Sequence, residues 1–258
     1  MKLAHSSQNQ EDREPSGKSR FRRTGIYLLP NLLTTSALFA GFYAIIAAMS
    51  GRFEIASIVI LVAIVFDGLD GRVARLTNTE SDFGAHYDSL SDMVSFGVAP
   101  AVVLFEWSLS SFGKVGWLMV FIYTASVALR LARFNSSEEK ADNGFFSGLP
   151  SPAGAATLAA YVWFCESFEF STIVWQVTAL LGVGMIAALM VSELRFYSFK
   201  NFDLQGKVPF VAILSIVLIF VLISIEPPLV LLFASSVYAF SGPFDKLLVT
   251  FKEKFKIT

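Results

Sequence analysis

Four aspartates, Asp67, Asp70, Asp88 and Asp92, fall within a stretch of 26 residues. Asp67 and Asp70 are three positions apart, and Gly71 and Ala74 continue their helical face. Gly84, Asp88 and Asp92 recur every four residues along a second stripe. Two adjacent antiparallel helices bearing these stripes would aim four carboxylates at one point. Such a group repels itself and is costly to desolvate unless cations neutralise it. Ligand sets made only of oxygen select hard ions, Mg2+ or Mn2+ ahead of Zn2+. Two such ions held by shared aspartates serve displacement at phosphorus. Small residues at Gly71, Ala74 and Gly84 would let a bulky phosphate-bearing ligand approach the backbone. A helix–loop–helix calcium site fails, because its ligands alternate while these acids keep helical spacing. The plainer reading makes each aspartate a solvated helix end. It suits any one of them, but not four on matching faces beside Arg72 and Arg75.

The elements that must position these groups are membrane helices. The chain is 258 residues long, 54% hydrophobic and only 16% charged, against about 25% charged for a soluble domain. The apolar residues come in blocks of about 20, the length of helix that crosses about 30 Å of hydrocarbon. Spans are expected near 30–50, 53–76, 82–107, 113–133, 150–167, 171–194, 207–225 and 227–246. The fold class is therefore all-α, a polytopic membrane helix bundle of about eight transmembrane helices. The N-terminal stretch is polar and basic, without an apolar core or cleavage site, and reads as a disordered cytoplasmic tail over residues 1–25.

Lysine and arginine set the orientation. With the N-terminus inside, 18 of the 20 lie on the cytoplasmic side, leaving only Arg52 and Lys114 outside. Both termini and the aspartates are thus expected to be cytoplasmic. An even number of spans keeps the basic C-terminal tail on that side.

The aspartates also carry a resemblance. Asp67-x-x-Asp70-Gly71-x-x-Ala74-Arg75, followed by Gly84-x-x-x-Asp88-x-x-x-Asp92, resembles the signature of the CDP-alcohol phosphotransferases. These are integral membrane enzymes of phospholipid synthesis. Within that family, "SDMVSFGVAPA", "RLARFN" and "FSGLPSPAGA" are most similar to the bacterial integral-membrane phosphatidylserine synthases, and archaeal lipid-serine synthases look alike. The resemblance implies a six-helix catalytic core over residues 26–197, with residues 198–258 adding two helices and a short basic tail. It implies two metal ions, Mg2+ or Mn2+, with Asp67 bridging both and Asp70 and Asp88 as further ligands. Asp92 would be a ligand and the general base. Gly71, Arg75 and Ser81 would hold the CDP-diacylglycerol head group beside Ala74 and Gly84, with Asn31 and Thr34 as additional nucleotide contacts. L-serine would be the acceptor, giving phosphatidylserine and CMP at the bacterial inner membrane. The partners are then these two substrates and the membrane lipids, with no nucleic acid.

Arg130, Arg133, Asn135 and Ser151 are candidates for the serine carboxylate or the lipid phosphate, although arginines at a cytoplasmic helix end also serve as positive-inside anchors. His86 falls off the Gly84–Asp88 stripe and reads as a packing or interface residue. His5 lies in the tail. Cys165, the single cysteine, lies in an apolar segment without an evident histidine partner. Glu106, Glu166 and Glu169 read as solvated acids on the outer side. The last two spans are packing helices or the contact of a homodimer. A cation channel or transporter would explain intramembrane acids, but the outer halves of the spans have almost no ionisable groups to continue a path. Acceptors such as glycerol 3-phosphate or an inositol phosphate would call for a stronger cationic pocket than serine needs.

Overall fold

The computed structural model describes residues 17–136, 145–170, 172–197 and 210–256. Its helices are α1 (Gly17–Met49), α2 (Phe53–Thr77), α3 (Asp82–Asp92), α4 (Ala99–Trp107), α5 (Lys114–Asn135), α6 (Ser151–Ser167), α7 (Ile173–Val191), α8 (Phe210–Ile225) and α9 (Pro227–Lys256). Two short strands, β1 (Phe145–Ser147) and β2 (Arg195–Tyr197), pair antiparallel between α5 and α6 and after α7. Helix α1 starts at Gly17, inside the tail expected over 1–25; residues 1–16 lie outside the described part.

The architecture is an all-α polytopic membrane fold. Among the described residues, Leu28–Met49, Asp82–Trp107, Lys114–Asn135, Ile173–Val191 and Pro227–Leu247 are long and apolar enough to cross a membrane. Helices α2, α6 and α8 stand where further spans are expected. Of these, α2 carries two aspartates and two arginines in its last turns, while α6 and α8 are 17 and 16 residues long.

Helices α1 and α2 pack along most of their length. Their buried positions are small: Ala37, Ala40, Ala44, Ala47 and Ala48 on α1, and Ala56, Ser57 and Ala63 with Ile60 on α2. Lipid is as apolar as leucine, so helices associate in a bilayer by close van der Waals approach, which small residues permit. The large apolar side chains accordingly point outward, with Phe39, Phe42, Leu76 and Leu181 exposed. Helix α2 packs on α6, α6 on α9, and α5 on α7.

Between α3 and α4 the helix widens into a π turn, Met93–Val98. The sequence pattern predicts one uniform span over 82–107. The turn displaces backbone groups from the regular ladder, and Tyr123 of α5, wholly buried, donates its hydroxyl to the Phe96 carbonyl at 2.6 Å. Gly41 of α1 meets the same turn; a Cβ there would stand 2.4 Å from Ser95 Oγ and 2.6 Å from its Cα.

Candidate active site

The second helix ends where its chemistry begins. Asn78 caps α2 in the left-handed conformation (φ 52°) and its N–H returns to the carbonyls of Ala74 and Arg75. Three residues later Ser81 caps α3, its hydroxyl accepting the Gly84 N–H at 3.1 Å. This tight reversal sets α2 and α3 side by side, so that their acidic stripes converge. Oxygen atoms of Asp67, Asp70 and Asp88 lie within 4.8 Å of one another, and the three residues are half-buried or buried. Asp92 stands at the end of α3, beside the π turn, with its carboxyl group at hydrogen-bonding range of Asp67. It joins the acidic group through Asp67 and is not one of the clustered three.

Carboxylates held this close require positive charge among them, since their mutual repulsion is not screened by bulk water at this depth. One atom makes the point sharply. Asp88 Oδ1 is buried and has no hydrogen-bond partner, a costly state for a carboxylate oxygen unless something else satisfies it. An all-oxygen set of this spacing, with an unsatisfied oxygen turned inward, fits a hard divalent cation. The Asp67–Asp70–Asp88 group could hold a metal ion.

Helix α1 braces the site from the other side. The Thr34 hydroxyl lies 2.7 Å from Asp70 Oδ2 and 3.1 Å from the Pro30 carbonyl; both Thr34 and Asp70 are buried. Ser91 donates to the Thr34 carbonyl at 3.1 Å and Ser95 to the Ala37 carbonyl at 3.0 Å. Tyr87 and Thr35 meet through their hydroxyls at 2.9 Å. These bonds lock α3 and the π turn to α1 and thereby fix the direction of the Asp88 and Asp92 side chains.

Beside the acids lies a cavity of about 420 Å³. Asn31, Thr34, Gly71, Ala74, Arg75, Ser81 and Gly84, the seven residues expected to contact the nucleotide, all line it, together with Asp70 and Asp88. Gly84 stands close to Asn31 and Ser81: a Cβ there would lie 3.2 Å from Ser81 Oγ and 3.6 Å from Asn31 Oδ1. The Arg75 guanidinium folds back toward Gly71, one turn earlier.

Sequence reasoning missed Thr79, Glu80 and Asp82 in the same wall. Thr79 is buried and its hydroxyl lies 2.7 Å from that of Thr77. The run "TNTESD" marks them only as a polar reversal between two helices. It also missed what Thr34 does here, for its hydroxyl is turned to Asp70.

The second group of candidates sits where α5, β1 and α6 meet. Arg130 donates from Nη1 to Ser151 Oγ at 3.2 Å, and Arg133 from Nη2 to Ser147 Oγ at 2.9 Å. Asn135 departs from this group, its Nδ2 donating to Ser89 of α3 at 2.9 Å. His86 is exposed and outside the acidic group. Glu166 is exposed and accepts the Trp107 Nε1–H at 2.8 Å. Cys165 is buried.

The sequence pattern of the CDP-alcohol phosphatidyltransferases matches residues 27–192. The chain is 36% identical over 196 residues to a Helicobacter pylori protein named CDP-diacylglycerol–serine O-phosphatidyltransferase, covering 76% of this chain and 83% of that one. A Mycobacterium tuberculosis protein of the same name is 42% identical over 148 residues, 55% of this chain and 51% of its own. An archaetidylserine synthase of Methanothermobacter thermautotrophicus is 33% identical over 175 residues, 67% and 71% of the two chains. With its acidic cluster and cavity inside the matched region, the chain belongs to the CDP-alcohol phosphatidyltransferase family.

Proposed function

We propose that this enzyme transfers the phosphatidyl group of CDP-diacylglycerol to the hydroxyl of L-serine, forming phosphatidylserine and releasing CMP. The observation that carries the reading is the cavity, which sets Asp70 and Asp88 of the carboxylate cluster and Arg75 around one space large enough for a nucleotide head group. The serine-specific names of relatives from bacteria and archaea support the choice of acceptor.

Asp67, Asp70 and Asp88 would hold the Mg2+ or Mn2+ ions, with Asp92 adjoining through Asp67. When bound, such ions polarise a pyrophosphate and offset the charge that develops as CMP departs. Arg75 adds a cation fixed by the α2 helix. Ser81 and Asn31 offer polar contacts at the cavity rim, and Thr34 keeps Asp70 aimed. The serine oxygen attacks the lipid-side phosphorus, the bond from that phosphorus to the CMP oxygen breaks, and the serine hydroxyl proton passes to Asp92. Arg130 and Arg133 take the serine carboxylate or the lipid phosphate, with Ser147 and Ser151 holding their guanidinium groups. The site opens to the cytoplasm of a bacterial cell, where serine is available, and the bilayer supplies the lipid.

The test is CMP release by the purified full chain, given CDP-diacylglycerol and, in turn, L-serine, glycerol 3-phosphate and an inositol phosphate. Release with serine alone is expected. Release with a phosphorylated alcohol but not with serine would overturn the acceptor assignment.

A further inference from the structure

Strand β2 and α9 lie beyond the residues matched to the family, yet through β1 they meet the arginine pair. Strand β2 pairs with β1 in the register Phe145–Tyr197, Phe146–Phe196 and Ser147–Arg195. Ser147 therefore takes its place from β2, and its hydroxyl accepts from Arg133. The chain then turns through Gly148 (φ 77°), whose N–H donates to Leu194 O at 2.8 Å, and the Leu149 N–H donates to Leu189 O at 3.0 Å. A Cβ at Gly148 would lie 2.4 Å from the Met190 carbonyl, so the turn admits no larger residue without displacement. Two residues on, the wholly buried Ser151 accepts from Arg130.

Helix α9 grips this strand pair in two places. Phe196 is wholly buried, and Gly242 of α9 comes so near its ring that a Cβ would stand 2.5 Å from Cζ. Tyr238, one turn earlier, donates its hydroxyl to the Tyr197 carbonyl at 3.0 Å and packs its ring 6.0 Å from that of Phe196. The same tyrosine lies within electrostatic reach of the Arg130 guanidinium. Helix α9 also packs along α6, which begins at Ser151.

We infer that α9 sets the acceptor affinity of this enzyme from outside its catalytic core. Tyr238 is the positioning residue, acting through β2 on Ser147 and Ser151 and thus on Arg133 and Arg130. The inference rests on the reading that these arginines take an anionic group of the acceptor. A hydroxyl fixed to the Tyr197 carbonyl holds β2, and through β2 and β1 the serine that receives Arg133, without touching substrate. Its loss would loosen the arginines and leave the carboxylate cluster, braced separately by α1, as it was.

Tyr238→Phe keeps the ring and removes the hydroxyl. In the full chain it should raise KM for serine about five- to tenfold, as the loss of one hydrogen bond would. Both kcat and KM for CDP-diacylglycerol should stay within about twofold, and the thermal midpoint should hold. Gly242→Ala should push on Phe196 and raise KM for serine in the same way, and adding Phe196→Leu, which makes room, should restore it. A fall in kcat together with both KM values rising would mark a merely structural role, and no change at all would equally overturn the inference. Arg130→Ala separates the two readings. If it leaves KM for serine unchanged, the arginine assignment fails; if it raises KM while Tyr238→Phe does not, only the role of α9 fails.

Discussion

Replacing Thr34 by valine exchanges a hydroxyl for a methyl group of nearly the same size, so no cavity opens and no bulk is added. What disappears is the 2.7 Å bond to Asp70 Oδ2, made between two buried side chains. Asp70 keeps the Gly71 N–H as a partner, but its second oxygen is released from α1. A hydrogen bond to a charged group contributes about 1.5–3 kcal/mol. Groups that orient a metal ligand from behind typically change metal affinity about 10- to 100-fold. The two figures agree, since each 1.4 kcal/mol is a factor of about ten. Thr34→Val should therefore raise the Mg2+ or Mn2+ concentration for half-maximal CMP release by about 10- to 100-fold, with most of kcat recovered at saturating metal. Thr34→Ser, which keeps the hydroxyl, should lie close to the parent. If Thr34 instead contacted the nucleotide directly, KM for CDP-diacylglycerol would rise and the metal requirement would not move. That outcome would refute the argument from the Asp70 contact.

Asp67→Asn should lose metal binding and activity together, whereas Asp92→Asn should lose about 10²–10⁴ in kcat while still binding CDP-diacylglycerol in a metal-dependent way; near-normal kcat would place the base elsewhere. Chelation should abolish CMP release, and Mg2+ or Mn2+ should restore it where Zn2+ does not, because the ligands are carboxylates; turnover in excess chelator would rule the metal out. Gly41→Ala would drive a Cβ to 2.4 Å from Ser95 Oγ, an overpacking that costs about 1–3 kcal/mol, so the detergent-solubilised protein should melt several degrees lower. With Cys165 replaced, a cysteine at exposed Ser136 should be labelled only from the cytoplasmic side and one at exposed Glu169 only from outside. The opposite pattern at either would break the expected topology.

The acidic stripes were legible because they follow from helical spacing, whereas Asn31, Thr34, Arg75 and Ser81 of the cavity lining came from the resemblance to the family. Residues three or four apart share a face, and Asp67, Asp70 and Asp88 needed only an antiparallel reversal to meet. Contacts between helices were not legible. Nothing in "PNLLTT" distinguishes a threonine turned to a nucleotide from one turned to Asp70, because the partner is 36 positions away. The π turn is hidden for the same reason: "MVSFGV" has no local signal, and the group that satisfies its Phe96 carbonyl is Tyr123 on another helix. The β1–β2 pair joins three-residue strands that are separated by two helices. The local pattern in "FFS" and "RFY" is too brief to announce a strand.

The π turn also solves a problem of phase. Ser91, Ser95, Ala99 and Val103 are all buried, at steps of four residues. On a uniform helix each such step overshoots a full turn by about 40°, so across the four positions the stripe would wander by about 120°. One residue added within a turn sets the helix back by about 100°, which cancels most of that drift. A single straight seam can then run from the carboxylates at one end to the apolar packing of α4 at the other. The α4 half of this span is thereby indexed separately from the α3 half. Regularising Met93–Val98 to an α turn without changing the number of residues would swing Val103 about 100° off the seam while leaving Asp88 aimed as before, and changes of side chain beyond the turn can follow the needs of the bilayer without re-aiming the chemistry.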